Sequence, residues 1–521
     1  MTVAILSIKL CWLVLDPTLR VYMGDSMVYL QTAAWLSGSP GRSYLYGALL
    51  HFTAYPLHSP LAIIVLQALC STVTALTLFA FLRLALGVRM AMAVAAALLL
   101  ATEPAQIFFE RMVMAETVGL LSLIATLLAY SRYLQTRSLY WYLLGCLFGL
   151  ATGNFRTSLL PVVVGLALVA PAILLSTCAG IGGDWKRRLR HVAAAAAILA
   201  GSHLAYTHAY GIAMKAPPGY LALTGMMRIG LVAPLIEPEH FEGTGVSGDV
   251  LQQVKLPLAD HWQRGNHIWS EQGLWRVLEK NSTDPERVAR TITRRAMLDH
   301  PLRLLQINVE TLGGYFDPQK TYWRMMDDKG AIAPDARARE LIREWLHYDI
   351  EGVDTRETPA RAYFSLSSTW LTACLVLLGP LALASLAAGW RTPQRPQFLL
   401  LSLASLGLVA SHLLFSHIVS FRYLHPFPWF VFANIAVIAG TPWRTSTQRR
   451  AGATQVSQGL DLTAPMRHRS QDQAYQRGKR RDDQQCGHKD GRRNPWHQAG
   501  CQIGVDKRDA QHDGTYCEQR A

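Results

Sequence analysis

Runs of uncharged, apolar residues long enough to cross a bilayer recur along this chain, and they leave little choice of fold. LAIIVLQALCSTVTALTLFAF at 61–81 and LPVVVGLALVAPAILLST at 160–177 are two of them. A span needs about 20 such residues at a rise of about 1.5 Å each. Inside hydrocarbon only a helix satisfies its own backbone groups in a single segment. Half of the 521 residues are hydrophobic, a share that a soluble protein also reaches; their clustering is what decides the class. The reading is an all-α polytopic membrane protein of about ten transmembrane helices, at 3–20, 60–82, 90–106, 113–131, 139–155, 157–177, 191–209, 364–389, 397–415 and 421–440. Residues 3–20 are taken as a membrane helix rather than a cleavable leader, because no A-x-A-like site follows.

Lys and Arg assign the sides. One set of short connections carries Arg83, Arg89, Arg132, Arg137, Lys186, Arg187, Arg188, Arg190, Arg391 and Arg395. The opposite set holds only Arg20, Arg42, Arg111, Arg156 and Arg422. The first set is therefore cytoplasmic, as are both termini. Four parts result: an N-terminal transmembrane module, 1–209, with its first outer loop at 21–59; an extracytoplasmic segment, 210–362; the C-terminal membrane helices, 363–440; and a polar, basic tail, 441–521, read as disordered. Much of the formal charge of +14 sits in that tail, where it suits anionic lipid headgroups. No nucleic-acid partner is expected. In the outer segment, Asp284 and Pro285 predict a helix start and Pro301 a break, giving a small, mostly helical domain on the membrane surface. The first outer loop is expected to form interfacial helices.

The eight cysteines suggest no disulfide framework, and those of the membrane runs read as small apolar packers. The spacing of Cys486, His488, His497, Cys501, His512 and Cys517 fits no standard zinc module. Gly145, Gly149 and Gly153 share a helix face suited to close packing.

Ionisable residues at membrane depth are costly, so they are functional candidates. With the sides assigned, Asp25, Glu103, Glu110, Arg111, Glu116, Arg156, His417, Arg422 and His425 all fall at outer ends of spans. Asp25, ahead of an apolar stripe that includes Tyr29, suits a base that takes a proton from an attacking hydroxyl; it equally suits a helix N-cap. Glu110 and Glu116 point about 120° apart on a continuous helix, so a shared cavity requires the helix to begin between them. Glu116 lies inside the fourth span, where a carboxylate needs a cation such as Arg111 or Arg156. Arg156 and Arg422 break the charge bias; each suits a lipid-linked phosphate, bound bidentately, or snorkelling to headgroups.

Four stretches taken together carry a family resemblance: GDSMVYLQTAAWLSGSPGRSYLYGALLH, ERMVMAETVGLLSL, GLATGNFRTSLLPVVV and FRYLHPFPWFVFANIA. Over residues 1–440 the chain resembles the GT-C membrane glycosyltransferases. The likeness is to the family 39-like branch, which includes protein O-mannosyltransferases and the lipid A aminoarabinose transferase. The resemblance implies a bacterial inner-membrane enzyme that moves a sugar from a polyprenyl-phosphate donor to a lipid, glycan or protein acceptor on the periplasmic side. Asp25 is then the acceptor-activating carboxylate and Glu116 shapes the site. Arg156 and Arg422 contact the donor phosphate. Glu110, Arg111, Tyr29 and His425 are candidate lining residues. Where the family often has a second acid after the loop Asp, this chain has Ser26. With no D-x-D in the first outer loop and no W-W-D anywhere, no metal or other cofactor is expected. An O-antigen ligase or polymerase would rest on His417 and His425 instead. A transporter of lipid-linked glycans would show internal symmetry or broken helices in matched positions. A non-catalytic scaffold is the remaining alternative.

Overall fold

The computed structural model describes residues 1–440 apart from 37, 39–40, 43, 178–184, 331–333 and 335. The basic tail, with its cysteines and histidines, and Cys178 lie outside the described residues. Among the described residues twenty-two α-helices follow one another. In the first half they are α1 (Thr2–Leu15), α2 (Met23–Trp35), α3 (Tyr44–Thr53), α4 (Pro60–Ala80), α5 (Met90–Ala101), α6 (Pro104–Phe109), α7 (Glu116–Thr136), α8 (Leu139–Phe155), α9 (Leu160–Thr177) and α10 (Trp185–Met214). The polar segment holds α11 (Thr224–Val232), α12 (Asn266–Trp269), α13 (Leu274–Asn281), α14 (Pro285–Asp299), α15 (Pro301–Gly313), α16 (Pro318–Asp328) and α17 (Ala336–Leu346). The chain then closes with α18 (Pro359–Ser365), α19 (Ser367–Gly389), α20 (Arg395–Phe415), α21 (Phe421–Leu424) and α22 (Phe427–Gly440).

Six stretches among the described residues are long and apolar enough to cross a membrane: Pro60–Ala85, Glu116–Thr136, Thr157–Ser176, Ser367–Gly389, Arg395–Phe415 and Phe421–Gly440. Helices also occupy the other four expected positions, but α1 and α5 are short. Proline shortens both. Pro17 follows the end of α1, and Pro104 opens α6 after a break at Thr102–Glu103. A proline cannot donate the backbone bond that would continue a helix, and it disfavours helical backbone in the residue before it. The third expected span, 90–106, is thus two helices. Glu103 caps the second by accepting the Gln106 N–H at 2.6 Å.

Two apolar cores form. The larger joins the membrane helices, with Phe81, Phe108, Trp429 and Phe430 fully buried. The glycine face of α8 packs as read: a Cβ at Gly145 would lie 2.3 Å from the ring of Tyr130 on α7. The smaller core gathers Ile229, Val232, Phe241, Trp275, Leu278, Val288 and Ile292 from the polar segment. From Tyr315 to Val353 that segment joins the larger core instead. The expected helix start at Pro285 is present, with Asp284 accepting the Arg287 N–H at 3.0 Å. The break falls at His300, just before Pro301.

One buried charge pair holds α1 to the bundle. Lys9 is 5 % exposed and donates to Glu110 at 2.5 Å and to the Ala101 carbonyl at 2.9 Å. Removing Lys9 leaves Glu110, buried from water, with only the longer contact to Arg111 at 3.8 Å. Lys9→Met alone is expected to cost about 3–5 kcal/mol. Lys9→Met combined with Glu110→Gln is expected to recover most of that loss, as read from thermal unfolding of the purified protein in detergent.

Candidate functional site

The chain brings four of the eight singled-out residues into one bonded cluster, and a fifth comes from the first loop. Glu116 is the hub. It is the first residue of α7, where the helix dipole favours a carboxylate. It lies in the expected fourth span, as that span's first residue. The helix begins between Glu110 and Glu116, since α6 ends at Phe109. The Glu116 Oε1 lies 3.1 Å from Arg156 Nη1 and accepts from Arg422 Nε at 2.9 Å. Arg422 reaches on to Asp25 Oδ2 at 3.3 Å, and Asp25 Oδ1 lies 2.5 Å from Arg42 Nη2. The chain of charges thus runs Arg156, Glu116, Arg422, Asp25, Arg42. Three guanidiniums against two carboxylates leave one net positive charge.

Aromatic faces back the guanidiniums. Arg422 lies 4.0 Å over the Tyr22 ring, Arg156 5.8 Å over Tyr423, and Arg42 4.6 Å over Trp269. Tyr29 is buried against Tyr46, ring edge to face, one turn beyond Asp25 on α2. His425 is buried nearby, its Nε2 3.1 Å from Gln106 Oε1.

Local structure sets each member. Asp25 is the third residue of α2, with Tyr22 at the cap, so it is not the N-cap. Ser26 beside it is fully buried: its hydroxyl donates to the Val113 carbonyl at 2.8 Å and accepts the Tyr22 N–H at 2.7 Å. The residue standing where a second acid was sought therefore ties the Asp25 helix to the segment leading into Glu116. A short parallel bridge between Arg20 and Met112 strengthens the same tie. Arg156 caps α8, and a Cβ at Gly119 on α7 would lie 3.0 Å from its Cγ, so the small residue leaves the arginine its path to Glu116.

Glu110 and Arg111 do not join the cluster. Glu110 is spent on Lys9. Arg111 donates to the Asp16 and Ile107 carbonyls at 2.8 and 2.6 Å and lies beside Trp12. Both are structural because α6 and the turn after it bury them on the α1 side. Among the histidines, His417 is pushed down to about 4, by burial first and by Arg264, Arg324 and Arg42 next, which makes it a weak base.

Sequence reasoning passed over Arg42 as a site residue, although its place against the charge bias was the available signal. It had no signal for Trp269 or Asp328. Asp328, the last residue of α16, is buried and accepts the Phe421 N–H at 2.6 Å and the Ser420 hydroxyl at 2.9 Å. It therefore caps α21 from outside and fixes the backbone one residue before Arg422. Two residues on, Gly330 has φ +68°, and a Cβ there would lie 2.6 Å from the Val21 carbonyl. One turn of chain thus packs against the segment before Asp25 and bonds the segment before Arg422.

One potential metal group exists among the described residues: ligand atoms of Glu237, His240 and His300 lie within 4.8 Å of one another. The His240 Nδ1 accepts the Glu237 N–H at 2.9 Å, which puts the proton of the neutral ring on Nε2, facing Asp299 at 3.2 Å. The pair braces a turn and does not suit a metal.

The family model of dolichyl-phosphate-mannose-protein mannosyltransferases matches residues 50–206. Over that stretch the chain is similar to this family. The matched region takes in Glu116 and Arg156 and stops short of Asp25 and Arg422. No match was found among curated proteins or among solved structures.

Burial raises Asp328 to about 6, against the opposing pull of Arg422 and its two hydrogen bonds. A carboxyl raised in this way favours the folded state most below its unfolded value near 4, and that contribution is lost as pH rises through about 6. Asp328→Asn is therefore expected to flatten the fall in thermal midpoint between pH 4 and 6 that the unaltered protein shows. The check is a pair of melting series in detergent across that window.

Proposed function

We propose that the protein transfers a sugar from a polyprenyl-phosphate donor to a lipid, glycan or protein acceptor at the extracytoplasmic face of a bacterial inner membrane, with no metal or other cofactor. The observation that carries this reading is the five-residue cluster with its excess of guanidinium over carboxylate. A departing lipid phosphate leaves more readily where fixed positive charge receives it. Arginine suits this role because its planar fork matches two phosphate oxygens.

Arg156, Arg422 and Arg42 hold the donor phosphate in this reading. Glu116 bonds the first two through one oxygen and keeps them close, so it organises the site without reacting. Asp25 is the base. As the phosphate arrives it takes over guanidinium bonds that Asp25 now receives, which frees the carboxylate. The acceptor oxygen then attacks the anomeric carbon, its proton passes to Asp25, and the bond to the phosphate oxygen breaks with its electrons on the phosphate. Attack from the face opposite the leaving group inverts the sugar carbon. Tyr29 and His425 are buried beside the cluster.

Labelled polyprenyl-phosphate sugars, offered to the lipid-reconstituted protein with membrane acceptors, test the assignment. Asp25→Asn is expected to bind donor yet lower transfer by about 10²–10⁴-fold, the usual worth of a positioned base. Arg156→Lys keeps the charge and loses the fork, so it should weaken donor binding more than it slows bound turnover. Absence of transfer from every donor in the panel, with glycan ligation in cells lost in His417 or His425 variants, would instead support the ligase chemistry.

A further inference from the structure

Helix α15 has three faces, and only two have partners. At about 100° per residue, Leu304, Ile307, Asn308 and Thr311 fall on one side, and that side is packed inward. Arg303, Gln306 and Glu310 form a second, polar side; Gln306 donates to Glu310 at 2.8 Å, and Arg303 lies 3.8 Å from it. Leu302, Leu305 and Val309 form the third, and they are 81 %, 39 % and 50 % exposed. Phe316, 58 % exposed just beyond the helix, continues the row. A helix whose exposed side is a row of large aliphatic residues is not built to face water, since a solvent-facing stripe is ordinarily polar.

The neighbour of this helix identifies what covers the row. The Asn308 amide donates to the Leu414 carbonyl at 2.8 Å, and Arg264, which donates to the Thr311 hydroxyl at 2.8 Å, also donates to the Ser416 carbonyl at 2.9 Å. Leu414 and Phe415 end α20, one of the six helices long and apolar enough to span, and both are exposed there. The apolar row is thus fixed beside the lipid-facing end of a membrane helix. Tyr322 and Trp323 on α16, both exposed, add the aromatic pair favoured at a membrane boundary.

We propose that α15 is an in-plane anchor whose Leu302–Leu305–Val309 face is immersed in the lipid headgroup layer beside the end of α20. A helix of this kind sinks by about 5–10 Å into the boundary of headgroups and acyl chains. Arg303 and Gln306 then point out at the water side. The anchor fixes the height of the polar segment over the bilayer, and with it the height of Trp269 and Asp328 over the charged cluster. It rests on α20 crossing a membrane and is independent of the sugar-transfer reading.

The test places an environment-sensitive fluorescent amino acid at position 302, 309 or 303 of the full chain, in phosphatidylcholine nanodiscs with or without lipid carrying a quencher near the top of its acyl chain. The expected result is blue-shifted emission that loses most of its intensity to the quencher at 302 and 309, and water-like, unquenched emission at 303. Water-like emission at 302 and 309, or equal quenching at 303, overturns the proposal. Blue-shifted emission that ignores the quencher and grows with protein density assigns the face to a second copy of the chain, and also overturns it.

Discussion

Glu116 carries the heaviest burden in this structure. It is buried, it opens a membrane helix, and one of its oxygens bonds two arginines from distant parts of the sequence. A lone carboxylate at that depth would be expensive, and so would either arginine without an anion. The three therefore stabilise one another or none is tolerated. Their arrangement draws together the start of α7, the end of α8 and the start of α21. Asp25 and Arg42 extend the same network towards solvent, where Asp25 is more open than Glu116. The proposed roles follow this graded exposure, with the buried carboxylate organising the cluster and the more open one acting as base.

Around the network the chain invests in rigidity. Ser26, Asp328, Tyr315 and Gly330 each fix a backbone segment that carries a charged member. The Tyr315 hydroxyl donates to the Ser420 carbonyl at 2.8 Å and accepts its N–H at 3.0 Å. Asp328 then takes the next N–H. The short helix bearing Arg422 is thus held at its start by groups from the polar segment, not by its own membrane helix. A guanidinium kept within bonding distance of two carboxylates needs this support, because small displacements cost much in a preorganised charged site. The polar segment is consequently part of the frame of the charged cluster.

The apolar runs, the glycine face and the capping residues were legible in the sequence because each is local. Apolar content over about 20 residues decides a span, and Asp284 or Pro301 acts within one turn. Arg156 and Arg422 were legible because they stood against a charge bias that the rest of the chain obeys. Arg111 carried the same signal, and Glu110 that of an ionisable residue at a span's end, yet both lie on the α1 side, outside the cluster. A buried charge advertises itself in sequence, but its partner does not. Lys9 is itself a charge in an apolar run, but it lies 101 positions from Glu110 and nothing local pairs the two.

The sequence by itself determined that the chain is a helical membrane protein, and which residues are too costly to bury without purpose. Those facts follow from transfer energies that each segment carries alone. Only the tertiary structure decided which charge meets which. Asp25 and Arg422 are 397 positions apart, and Asp328 stands 92 or 93 from the groups it holds. Such pairings depend on how helices pack, and packing is a property of the whole fold. The division of one set of charged residues into a brace at Lys9 and a site at Glu116 was set there.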